Sequence, residues 1–220
     1  MISPPLQTID PRTICLAIPC HTGRVDVLCA NGVCNVIGTG RLANQPLWQY
    51  GGSDVRAVRN SIAHQFLNRT TAEWLVMIDD DIGFSVRDWD YLFEDEAGER
   101  AVVAEYLQKT AERRIAHFGL GFCRVHRSVF EALEQLTGED GTPWVKQGMY
   151  CGQLLWDYYC NGVNAAGEYR GEDHGFWTLV RLADVQLRVE RRTNLVHSGR
   201  GEWRYDAQEL ATVADDSGAN

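Results

Sequence analysis

The sequence lacks several things that would place it quickly. No apolar run approaches the roughly 20 residues that a membrane-spanning helix needs. The segment Met1 to Arg12 carries prolines but no apolar core of the kind a secretory signal requires. Both absences point to a cytoplasmic protein of a bacterium or a phage-infected cell, acting without a membrane partner. The seven cysteines form no Cys-x-x-Cys pair, so a structural zinc site is poorly supported. Their odd number, in a chain that is not short, argues for reduced thiols rather than a disulfide framework. Positive charge is also scarce: 21 Lys and Arg stand against 30 Asp and Glu, a net charge of −9. That argues against a generic nucleic-acid binder, which presents a basic surface, without excluding a local basic groove. Two local arginine clusters remain, Arg113 with Arg114 and Arg188 with Arg191 and Arg192. No internal repeat, low-complexity block or linker divides the chain. One domain over residues 1–212 is expected, with 213–220 as a flexible acidic tail.

What is present suits a packed α/β domain. Hydrophobic residues make up 45% of the 220, enough for a sizeable core. Thr13–Pro19 and Trp74–Ile78 read as buried strands, being apolar, partly β-branched and sharply ended. Pro46–Tyr50, Ala101–Leu107 and an edge segment Gln186–Arg191 read as further strands. Val25–Ala30 opens a helix, while glycine-flanked Gly32–Gly40 reads as a short strand or irregular segment. A helix capped by Ser53 runs to about Asn68, with Val55, Val58, Ile62, Phe66 and Leu67 along one face. Asp88–Glu94, Ser128–Leu136 and Phe176–Leu182 complete the helices. Strands alternating with helices predict an α/β sheet.

The strongest chemical signal is Asp79-Asp80-Asp81, directly after the apolar WLVMI. Three adjacent carboxylates beside a buried strand repel one another, and a hard divalent cation with oxygen ligands removes that cost. The carboxyl end of a strand in an open sheet is also where ligands bind. The bland alternative is a solvated acidic turn. Arg56 and Arg59 share a helix face and Asn60 lies beside it, an arrangement suited to phosphate. Trp144, Trp156, Trp177 and Trp203 are candidates for stacking on a sugar or base, although aromatic residues are more often core. The run Trp156-Asp157-Tyr158-Tyr159 is dense enough to suggest an acceptor wall.

The order of these parts resembles the GT-A glycosyltransferases, in particular small phage and bacterial members of the family 2 type with an Asp-x-Asp motif. The stretches that carry the resemblance are LAIPCHTGR, VRAVRNSIA, WLVMIDDDIGF, GLGFCRVHRSVFEAL, GEDHGFW and VHSG, in the family's order from Ile14 to Gly199. A lone Asp-x-Asp is a weak signal; the ordered set is much stronger. The resemblance implies a Rossmann-like, mixed but mostly parallel sheet flanked by helices. It implies a nucleotide-sugar donor, with UDP the first choice. Pro19, His21, Thr22 and Arg24 would line base and ribose, and Arg56, Arg59, Asn60, Asp79 and Asp80 would support the donor. Asp79, Asp81 and the late His197 would hold Mn²⁺ or Mg²⁺. Glu172 or Asp173 would take the proton from the acceptor hydroxyl, with Asp173 favoured. The acceptor is not named by these residues, and hydroxymethylated phage DNA is one candidate. Two other readings compete: a sugar-phosphate nucleotidyltransferase, whose glycine-rich phosphate loop CHTGR does not match, and a non-catalytic sugar-nucleotide or carbohydrate-binding module.

Overall fold

The computed structural model describes residues 9–20, 23–51, 54–94, 98–107, 116–117, 119–163, 169–198 and 203–204. The first half of the chain begins with a 3-10 turn, Pro11–Thr13, and β1, Ile14–Cys20. Helix α1 (Val27–Gly38), β2 (Leu47–Tyr50), α2 (Val55–Arg69) and β3 (Trp74–Ile78) follow. Next come β4 (Ile82–Gly83), α3 (Val86–Phe93), β5 (Ala101–Ala104), β6 (Tyr106–Leu107) and β7 (Ala116–His117). The second half contains β8 (Phe122–His126), α4 (Arg127–Glu134), β9 (Gln147–Tyr150), β10 (Gln153–Trp156) and β11 (Gly162–Val163). It ends with β12 (Tyr169–Arg170), α5 (Glu172–Leu182), β13 (Leu187–Glu190), β14 (Val196–His197) and β15 (Trp203–Arg204).

A six-stranded sheet in the order β13-β5-β8-β3-β1-β2 organises the domain. It is mostly parallel: β13 runs parallel to β5, and β1 runs parallel to both β2 and β3. Only β8 runs against its neighbours β3 and β5. Every residue of β3 is buried, and so is nearly all of β1, because helices cover both faces of the sheet. On one face α2, α4 and α5 pack Val58, Ile62, Phe66, Phe130 and Phe176 into a shared core. On the other, α1 and α3 contribute Cys29, Val33, Val36, Trp89 and Leu92. No helix among the described residues is long and apolar enough to cross a membrane.

Three sequence expectations need correction. Gly32–Gly40 is neither a strand nor irregular; its residues 32–38 form the second half of α1. Gly32 marks close packing rather than a turn, since a Cβ there would lie 2.6 Å from the Phe84 ring. The cap of α2 is Asp54, whose carboxylate accepts from Arg56 N at 3.0 Å, while Ser53 lies outside the described residues. Ala101–Leu107 is two strands rather than one, parted at Glu105, whose amide turns to Glu190 O at 2.9 Å. The seven thiols are all free. Burial pushes Cys15 up to about 11 and Cys123 up to about 12, which leaves both unreactive near neutrality.

Candidate active site at the carboxyl edge of the sheet

The acidic turn after β3 is held by its backbone on three sides. Asp79 N donates to Gly121 O at 3.0 Å, the residue just before β8. Asp80 O accepts from Asp26 N, the cap of α1, at 2.8 Å. Asp81 O accepts from Ser198 N, just after β14, at 2.8 Å. The three carboxylates therefore leave in different directions. Asp80 is buried on the α1 side. There it helps burial raise the Cys20 thiol to about 11.

Asp79 takes the opposite direction and meets Arg59. The Arg59 guanidinium is 4% exposed and donates to Asp79 Oδ1 at 2.7 Å through Nη2. Its Nη1 donates to Glu172, the first residue of α5. One buried cation thus ties the end of β3 to the start of α5. Burial alone would lower the arginine's affinity for its proton, but the charges of Asp79 and Glu172 outweigh that and raise it. Glu172 is consequently engaged, while its neighbour Asp173 stands half-buried and accepts from the amide of His174 at 2.7 Å. The helix start carries no side-chain cap, and both carboxylates lie where the helix dipole favours negative charge.

Asp81 faces His197. Its Oδ1 lies 3.5 Å from Nε2 of the imidazole, which β14 presents through its antiparallel pairing with β4. Tyr106 closes this corner, with its ring edge-on to His197 at 5.4 Å. Burial and then the charge of Asp79 raise the Tyr106 hydroxyl well above its ordinary value. That hydroxyl accepts from Gly121 N at 3.3 Å. A Cβ on Gly121 would come within 2.8 Å of the Tyr106 hydroxyl and 2.9 Å of Asp79 Oδ2. We expect Gly121→Ala to lower the unfolding free energy by about 1–3 kcal/mol, the range for overpacking a tight site. Urea denaturation measures it, and an unchanged midpoint would mean that Tyr106 and Asp79 separate at no cost.

The remaining sequence candidates fall in different places. Arg56 and Asn60 leave the acidic turn and meet Asp157: Asn60 Nδ2 donates to Oδ1 at 2.8 Å, and Arg56 Nη1 lies 3.9 Å from Oδ2. Arg56 and Arg59 thus serve separate neighbours. Pro19 is buried at the end of β1 and Arg24 is exposed in the loop after it; His21 and Thr22 lie outside the described residues. Tyr158 and Tyr159 are core residues, so an acceptor wall cannot extend past Asp157. Trp177 is also core and donates to Gly119 O at 3.2 Å. Arg188 and Arg192 are paired with Glu190, and Arg191 lies 3.6 Å from Glu105, so this cluster forms ion pairs within the fold. Arg113 and Arg114 lie outside the described residues. Tyr106 was missed in the sequence, because a lone tyrosine near a strand end carries no signal of its own.

No family model and no curated protein matches this sequence. Solved structures do match. A197 from STIV superposes with a TM-score of 0.54 at 13% identity, covering 88% of this chain and 94% of that one. At that identity the likeness is one of fold. The catalytic domain of Drosophila beta1,4galactosyltransferase 7, in complex with xylobiose, gives a TM-score of 0.47 at 12% identity, over 87% of this chain and 69% of that one. A point mutant of the same galactosyltransferase, in complex with manganese, UDP-Gal and xylobiose, gives 0.48 at 14% identity over the same shares. These two scores are too low to carry an argument about this chain.

Proposed function

We propose that this chain is a metal-dependent glycosyltransferase that moves a sugar from a nucleotide donor, UDP-linked in the first instance, to an acceptor hydroxyl. The observation that supports it best is the convergence at the carboxyl edge of the sheet. The Asp79–Asp81 turn, Arg59, the Glu172–Asp173 pair and His197 come from four separate parts of the chain and meet there.

The residues present fit a divalent cation. Asp81 and His197 bring a carboxylate and an imidazole within 3.5 Å of each other. Among the described residues no group of three or more such side chains converges. A cation of the Mn²⁺ or Mg²⁺ kind would complete its shell there with phosphate oxygens and water. When bound, such an ion supplies Lewis-acid neutralisation of the departing diphosphate. Asp79 gives Oδ1 to Arg59 and braces that arginine, alongside its role at the cation. Glu172 is held by Arg59, and its half-buried neighbour Asp173 at the same turn would take the hydroxyl proton onto its carboxylate.

The test is turnover of UDP-sugars in the presence of Mn²⁺, with Asp173→Asn as the variant. Removing a general base costs about 10²–10⁴ in rate, and UDP binding should stay unchanged. Equal turnover in variant and wild type would remove Asp173 from the mechanism. UDP binding without turnover in either protein would make the chain a binding module.

A further inference from the structure

Along α2 from Arg59, a cleft of about 180 Å³ lies between the helix and the hairpin β9–β10. The acidic turn does not line it. Among the described residues, Gly148 is the one glycine that lines it. Gly148 on β9 stands directly opposite Leu155 on β10. Cross-strand partners share a face of the hairpin, and Leu155 is buried toward α2. A Cβ at Gly148 would meet nothing within 4 Å, and its backbone is not in the positive-φ region. A side chain is thus sterically allowed at this position, and its absence leaves the space open.

The cleft is built rather than incidental. Asn60 is 5% exposed and spends both ends of its amide on the hairpin side, donating to Asp157 Oδ1 at 2.8 Å and accepting from Tyr159 N at 3.2 Å. That fixes Asp157 at the rim. Tyr150, Trp156, Arg56 and Lys146 are also among the lining residues. Aromatic faces beside a few oriented polar groups are what a sugar ring requires: C–H faces to cover and hydroxyls to bind. The cleft has room for several waters and so for a small polar ring.

The cleft is tied through the chain to α5, whose first turn carries the candidate base. Beyond β10 the chain runs from Asp157 to Cys160, whose carbonyl lies against the first turn of α5. A Cβ on Gly175 would sit 2.0 Å from that oxygen. Three residues span at most about 10 Å, so the Asp157 rim lies no farther than that from the chain packed on the first turn of α5.

We propose that this cleft is a subsite for one ring of a saccharide acceptor. The inference rests on the glycosyltransferase reading for its acceptor role, though not for the binding itself. The experiment titrates xylobiose and lactose against wild type and Gly148→Leu by saturation-transfer NMR, with UDP plus Mn²⁺ titrated in parallel. The expected result is saturation transfer to at least one disaccharide in the wild type. In Gly148→Leu, affinity for it should fall about tenfold or more, with the melting temperature and UDP affinity unchanged. Disaccharide binding that Gly148→Leu leaves intact would overturn the proposal, as would no transfer to either sugar with or without UDP and Mn²⁺. Loss of UDP binding in Gly148→Leu would instead give the cleft to the nucleotide. Gly148-dependent sugar binding in a protein that binds no UDP would sink the transferase reading and keep the cleft as a saccharide site.

Discussion

Arg59→Met should destabilise the fold by about 3–5 kcal/mol, the cost of breaking a buried ion pair from one side. The reason is what it leaves behind. Asp79 and Glu172 are 25% and 20% exposed, and each now faces the Arg59 guanidinium. Without that cation two carboxylates confront each other with little water to screen them. Arg59→Lys should recover only part of the loss, because a single ammonium cannot reproduce a fork that addresses two partners. The double variant Arg59→Met with Glu172→Gln should be less damaged than the sum of its single changes, since it removes the repulsion along with the pair. Denaturant unfolding of the four proteins gives the cycle. A loss below about 1 kcal/mol for Arg59→Met, the scale of an exposed pair, would mean that the bridge is not closed in solution.

The second large effect concerns Asp81. Asp81→Ala should lower turnover of a UDP-sugar by about 10³-fold, the equivalent of the several kcal/mol of charge stabilisation that a bound metal ion supplies. The fold should tolerate the change. The backbone contact from Ser198 N at 2.8 Å goes to the carbonyl of Asp81, which the substitution keeps. The side chain is 34% exposed, so no buried charge loses its partner. His197→Ala should fall in the same direction with the same metal dependence. If Asp81→Ala kept wild-type turnover, the turn at the end of β3 would be a solvated acidic loop and no more.

The parts of the fold that were legible are those whose residues answer to one constraint. Trp74–Ile78 is apolar at every position because both faces of β3 are covered, and its limits were read without error. The run Val58, Ile62 and Phe66 marks the buried face of α2 for the same reason. Legibility ended where tertiary packing decided the outcome. Gly32 looks like a chain breaker until Phe84 is seen lying against it. The antiparallel insertion of β8 between β3 and β5 depends on partners far along the chain, which no local pattern encodes.

The site divides in the same way. The Asp79–Asp81 turn stood out because three carboxylates after an apolar strand demand an explanation. That Arg59 would turn to Glu172, whereas Arg56 and Asn60 would turn to Asp157, was not legible. Neighbouring helix positions differ by about 100°, and only the placement of α5 and the hairpin decides which neighbour each one meets.

The most direct test is calorimetric titration of UDP into the wild-type protein and Asp81→Ala, each with Mn²⁺ and with EDTA. Binding that requires both the metal and Asp81 is the predicted result, and it would leave the acceptor as the next question. UDP binding that is indifferent to Mn²⁺ and to Asp81, or no binding under any condition, would contradict a metal-dependent donor site at the end of β3.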